Sequence, residues 1–180
     1  MRAAAVLSLV MLTASPFAHA AVQNADTLYS ALAHAKTPED AKQIEDQLQG
    51  LWSHSGSPSA DLLLQRGLQA LNDDDLETAR AILKALTGVS PGFAEGWRMR
   101  AEADLQADDY SDALLALRRT LQLEPRNFNA MAELGGILEE FNDKPHALEA
   151  YRRALALNPF VEGASARVRE LERDVEGQKI

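Results

Sequence analysis

The sequence predicts an all-α fold, an α-solenoid of antiparallel helix pairs, because it contains an internal repeat. Prolines recur every 34 residues, at Pro91, Pro125 and Pro159. The same interval links Ala79, Ala113 and Ala147. A constant interval of this length, closed each time by a residue that cannot continue a helix, is typical of stacked supersecondary units. About three copies are needed before such a stack buries a continuous core.

Three copies are predicted, over residues 60–93, 94–127 and 128–161. Small residues recur within them at Gly67, Ala101 and Gly135. Only a short side chain lets the backbones of two crossing helices approach closely, so we place the crossing of each helix pair at these positions. Acidic and amide residues such as Asn142 and Asp143 indicate the turn between the two helices of a copy.

These columns resemble the tetratricopeptide repeat (TPR), which has conserved Trp, Leu, Gly and Tyr in its first helix, Ala and Phe in its second, and a terminal Pro. In the second copy the matching residues are Trp97, Ala101, Ala113, Leu117 and Pro125. In the third they are Met131, Leu134, Gly135, Leu138, Ala147, Tyr151, Ala154 and Pro159. Arg66 and Arg100 depart from the pattern at the usual leucine, and Asp104 departs from it at the usual tyrosine. The whole arrangement is similar to the small exported bacterial members of this family.

The first 20 residues have the organisation of a cleavable export signal. Arg2 precedes a short apolar run, Ala3 to Ala14, and Ala18-His19-Ala20 has small residues at the place where signal peptidase cuts. We expect the mature protein to begin near Ala21 and to be periplasmic, without membrane insertion. An N-terminal anchor or a buried helix is the alternative, although the run is shorter than the ~20 residues that span a bilayer.

Residues 21–59 and 162–180 flank the repeats. A helix over about 25–35 and a second one that starts at Pro38 are predicted to form an N-terminal hairpin, with a serine- and glycine-rich joint over 53–59. The hairpin is either a degenerate fourth repeat, which we favour, or a cap. At the other end, Glu162 to Glu176 has one apolar face and is predicted to be a capping helix, followed by a short tail.

Composition argues against several classes of function. The net charge of −9 disfavours nucleic acid and anionic lipid as partners, and the absence of cysteine excludes disulfides and a lipid-attached cysteine. His34, His54 and His146 are scattered, without the spacing of metal ligands, and no phosphate-binding glycine loop occurs. We therefore expect no enzymatic activity, no catalytic residue, no cofactor and no metal.

The resemblance implies that the first helices of successive copies line a concave groove. The predicted ligand-binding residues are Asp61, Leu64, Leu68, Glu95, Arg98, Glu102, Asn129, Ala132, Gly136, Glu139 and Glu140. Because five of these are acidic and one is basic, the expected partner is another protein or a peptide that carries some lysine or arginine. The predicted function is a periplasmic adaptor or chaperone-like interaction module. A self-associating scaffold subunit of a cell-envelope complex is the alternative.

Overall fold

The computed structural model describes residues 16–177, and this part of the chain consists of α-helices without strands. The helices are α1 (Pro16–Ala33), α2 (Pro38–Trp52), α3 (Pro58–Asn72), α4 (Leu76–Val89), α5 (Ala94–Gln106), α6 (Tyr110–Leu123), α7 (Phe128–Glu140), α8 (Lys144–Leu157) and α9 (Ala164–Glu176). The predicted all-α class is therefore confirmed. Among these helices, none is long and apolar enough to cross a membrane.

Helices α3 to α8 form three antiparallel pairs that stack in sequence order, and α9 packs on α8. The turn inside each pair contains a residue in the left-handed backbone region, at Asp74 (φ 59°), Asp108 (φ 55°) and Asn142 (φ 57°). Aspartate and asparagine tolerate this conformation better than other non-glycine residues do. These three positions are again 34 residues apart, so the turn chemistry repeats together with the packing.

The small residues lie where the two helices of a pair cross, as their spacing predicts. A Cβ atom added at Gly67 would lie 2.7 Å from the Leu83 side chain, and one added at Gly135 would lie 2.9 Å from the Tyr151 ring. Ala101 is fully buried at the equivalent place in the middle pair. The second helix of each pair thus packs directly on the backbone of the first.

The N-terminal hairpin, α1 with α2, differs in extent from its prediction. Helix α1 begins at Pro16 and ends at Ala33, so it starts well before position 25 and includes the Ala18-His19-Ala20 motif. The rest of the predicted signal, residues 1–15, lies outside the described residues. Helix α2 starts at Pro38 as predicted, and the Thr37 side chain caps it by accepting a hydrogen bond from the Asp40 backbone N–H at 3.1 Å.

The hairpin does not stack on α3, so the favoured assignment as a fourth repeat is wrong. Helices α2 and α3 do not pack side by side, whereas α1 packs on α8, more than one hundred residues away in the sequence. The apolar residues of the hairpin join one buried cluster with Phe128, Met131 and Ala154. These side chains lie at the N-terminal end of α7 and on α8. The hairpin therefore covers the far repeat rather than extending the solenoid.

Helix α9 covers the other side of the last pair. It begins at Ala164, two residues later than predicted, because Gly163 precedes it in a left-handed conformation (φ 70°). Ala164 and Leu171 are buried in one cluster with Leu148 and Tyr151 of α8. This agrees with the predicted capping helix, and residues 178–180 of the predicted tail lie outside the described residues.

Candidate functional site

The first helices of the three pairs, α3, α5 and α7, carry the residues predicted to line a groove, and we call the surface that they contribute the inner face. Three of those residues are buried: Leu64, Glu95 and Arg98 have exposed fractions of 3%, 1% and 8%. Asp61, Glu102, Asn129, Ala132, Gly136 and Glu139 are half-buried, and Leu68 and Glu140 are exposed. The ligand-binding role of this set remains a prediction, but the burial shows which members a partner can reach.

A charge cluster lies at the centre of the inner face, and we call it the Arg98 cluster. The Arg98 guanidinium contacts Glu95 at 2.9 Å, Glu133 at 2.8 Å and Glu102 at 3.4 Å. Glu133 was missed in the sequence analysis, although it is next to Ala132, which is one repeat after Arg98. Residues beside a predicted groove column were the signal that could have found it.

The Arg98 cluster has an excess of acid, because three carboxylates surround one guanidinium. Burial raises the pKa of Glu133 to about 7, against the opposing effect of the Arg98 charge. Its Oε2 atom is buried and accepts no hydrogen bond within the described part of the chain. An additional cation next to this carboxylate would favour its ionised form.

Helix α2 explains why the N-terminal half of α5 is buried. The Gln49 side-chain amide donates a hydrogen bond to Glu95 Oε1 at 2.8 Å. Further along, α2 and α7 enclose a cleft whose lining includes Ala41, Glu45 and Asn129. The hairpin therefore lies against the inner face and occupies part of the surface that the sequence analysis treated as open.

Two predicted groove acids have structural partners elsewhere. Asp61 accepts hydrogen bonds from the Ser55 backbone N–H at 2.9 Å and from the Ser55 hydroxyl at 2.5 Å, and these bonds lower the pKa of Asp61. It thereby connects the joint to α3. Glu139 pairs with Arg167 of α9, with Nε to Oε1 at 2.9 Å. Neither carboxylate belongs to the Arg98 cluster.

The part of the inner face that remains open is a strip at the C-terminal halves of α3, α5 and α7. Leu68 is 36% exposed, and the Glu102 side chain is 38% exposed. Gly136 has open space above it, since an added Cβ atom would meet only the Tyr151 hydroxyl, at 3.7 Å. Glu140 completes this open strip, which is defined by Leu68, Glu102, Gly136 and Glu140.

The residues that depart from the TPR pattern in the middle pair form their own network. Asp104, which replaces the usual tyrosine, is buried, and burial raises its pKa. Arg80 contacts it at 2.7 Å and also contacts Asp109 at 2.6 Å, while Arg100 lies 3.7 Å from both Asp104 and Asp112. The unusual arginine and the unusual aspartate therefore compensate each other.

Asp104, Asp109 and Asp112 also form a group whose carboxylate oxygens approach within 4.8 Å of one another, as in a metal site. Two guanidinium groups already contact these carboxylates, and their positive charge opposes a bound cation. The geometry fits a charge network better than a metal centre.

The histidines make local contacts. His34 and His54 hydrogen-bond to the backbone carbonyls of Ser30 and Gly50 in the preceding helical turn. His146 contacts Asp143 at 2.8 Å, and this hydrogen bond raises the pKa of His146. The three rings lie on different helices or loops and are not brought together.

Comparison with known proteins supports the repeat assignment. No family model matches the sequence. A TPR repeat-containing protein of Rhizobium etli is 27% identical over 157 residues, which are 87% of this chain and 77% of that protein. The PEX5-related protein of Mus musculus is 27% identical over 112 residues, but these are 61% of this chain and only 20% of that protein.

Solved structures show the same fold at low sequence identity. The structure of MamA has a TM-score of 0.62 at 19% identity and covers 79% of this chain and 86% of its own. The first TPR domain of Spaghetti (RPAP3), bound to an HSP90 peptide, also has a TM-score of 0.62, at 17% identity, and covers 65% of this chain and 93% of its own. The helix order, the 34-residue interval and these similarities define this chain as a TPR repeat protein.

Proposed function

We propose that this protein is a non-catalytic interaction module that binds a polypeptide segment on its inner face. The observation that carries the proposal is the open strip next to the Arg98 cluster, where carboxylates outnumber the guanidinium. An apolar contact at Leu68 and acidic groups at Glu102 and Glu140 suit a segment with an apolar side and some lysine or arginine.

The similarities support a polypeptide as the ligand class. The first TPR domain of Spaghetti binds an HSP90 peptide, and the second TPR domain of human RPAP3 is in complex with an HSP70 peptide. Those ligands belong to those proteins, and the low identity transfers only the fold. What supports the same mode here is that this fold also has an accessible strip on its first helices.

We further propose that the protein acts in the periplasm after removal of residues 1–20. The support is the signal pattern, with Arg2, the apolar run and the Ala18-His19-Ala20 motif. The buried α1 side chains, Leu28, Tyr29 and Leu32, all follow position 21, so cleavage there leaves their contacts in place. Expression of the full chain in a Gram-negative host should yield a periplasmic protein whose first residue is Ala21, by mass spectrometry. A chain that retains residues 1–20 would contradict export by this signal.

The binding proposal is tested by crosslinking from the open strip, followed by binding of the purified partner. A photo-crosslinking residue at Gly136 should capture a polypeptide, and the same residue at Glu149, on the outer helix α8, should not. Reversal of two charges, Glu102→Lys with Glu140→Lys, should then weaken binding of that polypeptide about 5- to 30-fold, as expected for a loss of about 1–2 kcal/mol.

The matched control reverses two exposed acids on the outer helices, Glu77→Lys with Glu149→Lys. It changes the net charge by the same amount but leaves the inner face intact, so binding should stay within about twofold of the wild type. Equal weakening by both double variants would show that net charge alone matters, and equal affinity of all three proteins would show that the inner face is not the binding surface.

A further inference from the structure

The contact face of α2 has the pattern of a helical ligand. Ala41 and Leu48 are buried, Ile44 and Trp52 pack on the same cluster, and Gln49 reaches Glu95. These positions follow the spacing i, i+3, i+7, i+8 and i+11, which places them on one side of a helix. This is how amphipathic helices bind in the groove of another protein.

The hairpin is held by an apolar contact and by three polar contacts that water can replace. The Trp52 and Phe128 rings lie 5.4 Å apart, and the apolar cluster surrounds them. Gln49 contacts Glu95, Asn158 donates a hydrogen bond to Glu45, and Arg126 contacts Asp26 at 2.5 Å. Because the polar groups would be hydrated after release, an alternative ligand needs to match mainly the apolar contact.

The connection to the array is short and makes little contact of its own. Residues 53–57 join α2 to α3, with Gly56 in the left-handed region (φ 77°). All three polar contacts join residues that are far apart in sequence, from 46 to 113 positions. The hairpin is therefore attached at one end by a joint and docked at the other by a separate surface.

We infer that α2 is a resident occupant of the inner face and that the partner binds as an amphipathic helix which takes the place of α2. This inference rests on the proposed function and specifies its ligand. The partner helix should carry apolar residues at the spacing of Ala41, Ile44, Leu48 and Trp52. A lysine or arginine at the position of Gln49 would face Glu95 and the acid excess of the Arg98 cluster, and so would improve binding.

The test uses a labelled synthetic peptide of residues 37–53 as the probe, because it reproduces α2 itself. The full-length Leu48→Asp variant, whose hairpin places a charge in the apolar cluster, should bind this peptide at least tenfold more tightly than the wild type. In the wild type the tethered α2 competes with the peptide at a high effective concentration. A peptide with Gln49→Lys should bind the opened variant more tightly than the native peptide, and a peptide with Leu48→Asp should not bind.

A charge-swap series keeps the test valid if Leu48→Asp destabilises the array. Asp26→Arg and Arg126→Asp each place like charges together and should each raise peptide affinity severalfold, whereas the double variant restores an ion pair and should return to the wild-type value. Trp52 fluorescence in a Trp97→Phe background reports the docked hairpin in all variants. If no variant with intact helical content binds the peptide, the hairpin is a permanent part of the fold and the inference is overturned.

Failure of the inference is distinguishable from failure of the proposed function. If a photo-crosslinked polypeptide binds wild type and opened variants equally, with Trp52 fluorescence unchanged, the inference is wrong and the proposed function stands. If the α2 peptide binds the opened variants but the open strip captures no polypeptide, the occupancy of the inner face is supported and the proposed function is wrong.

Discussion

Two adjacent glycines in α7 provide a matched test of the packing that defines the fold. A Cβ atom at position 135 would lie 2.9–3.0 Å from three atoms of the Tyr151 ring, whereas one at position 136 would make an ordinary contact of 3.7 Å. Gly136→Ala should therefore stabilise the protein by about 0.5–1 kcal/mol, the usual gain of alanine over glycine inside a helix. Gly135→Ala has the same gain but adds an overpacking cost of about 1–3 kcal/mol.

The helix-propensity gain is common to both variants, so their difference measures the overpacking cost alone. We expect Gly135→Ala to be less stable than Gly136→Ala by about 1–3 kcal/mol, which corresponds to roughly 2–12 °C in Tm for a domain of this size. Urea unfolding followed by far-UV circular dichroism measures the free energy of unfolding for both. In a Tyr151→Leu background, where the ring is absent, the gap between the two variants should shrink.

Equal unfolding midpoints for Gly135→Ala and Gly136→Ala in the Tyr151 protein would refute the reasoning. That result would mean that α7 and α8 do not approach as closely as the 2.9 Å contact requires. It would also remove the physical reason for the small residue at the 34-residue interval.

Three further outcomes are expected. Because the folded chain protonates Glu133 at about pH 7 and the unfolded chain only near 4.5, this group stabilises the fold most below pH 4.5 and loses that contribution as pH rises through 7; Glu133→Gln should remove up to about 3 kcal/mol of this pH dependence in urea unfolding at pH 5 and pH 8. Asp75 caps α4 by accepting a hydrogen bond from the Thr78 N–H at 3.1 Å, so Asp75→Ala should cost about 1 kcal/mol of unfolding free energy, and no loss would contradict the cap. Arg80→Ala leaves the buried Asp104 carboxylate poorly paired and should cost about 1–3 kcal/mol, whereas Arg80→Ala with Asp104→Asn should recover part of that loss, and additive losses would argue against the pairing.

The repeated part of the fold could be predicted from the sequence because its packing is local. Gly67 and Gly135 each contact a side chain of the next helix, so a constant interval in the sequence maps directly onto a constant contact in space. The same reasoning explains why the turns at Asp74 and Asn142 recur at the same interval. Each unit repeats its neighbour's environment, and one pattern is enough to describe all three.

The position of the hairpin could not be predicted in the same way. The apolar faces of α1 and α2 show that these helices are covered, but they do not show by what, because Phe128 and Met131 lie some eighty or more residues downstream and belong to no shared interval. The Arg98 cluster has the same origin, since Gln49 and Glu133 reach it from elements that the repeat pattern does not relate. Contacts between a repeated and a non-repeated element have no periodic signature.

Native-state amide hydrogen exchange tests most directly whether α2 is a resident, exchangeable occupant of the inner face. The hairpin should open with a lower free energy than helices α5 to α8, and a saturating amount of the 37–53 peptide with Gln49→Lys should speed exchange in α1 and α2 while slowing it in α5 and α7. Exchange of α2 together with α5 to α8 in one cooperative step, unaffected by that peptide, would contradict the proposed displacement.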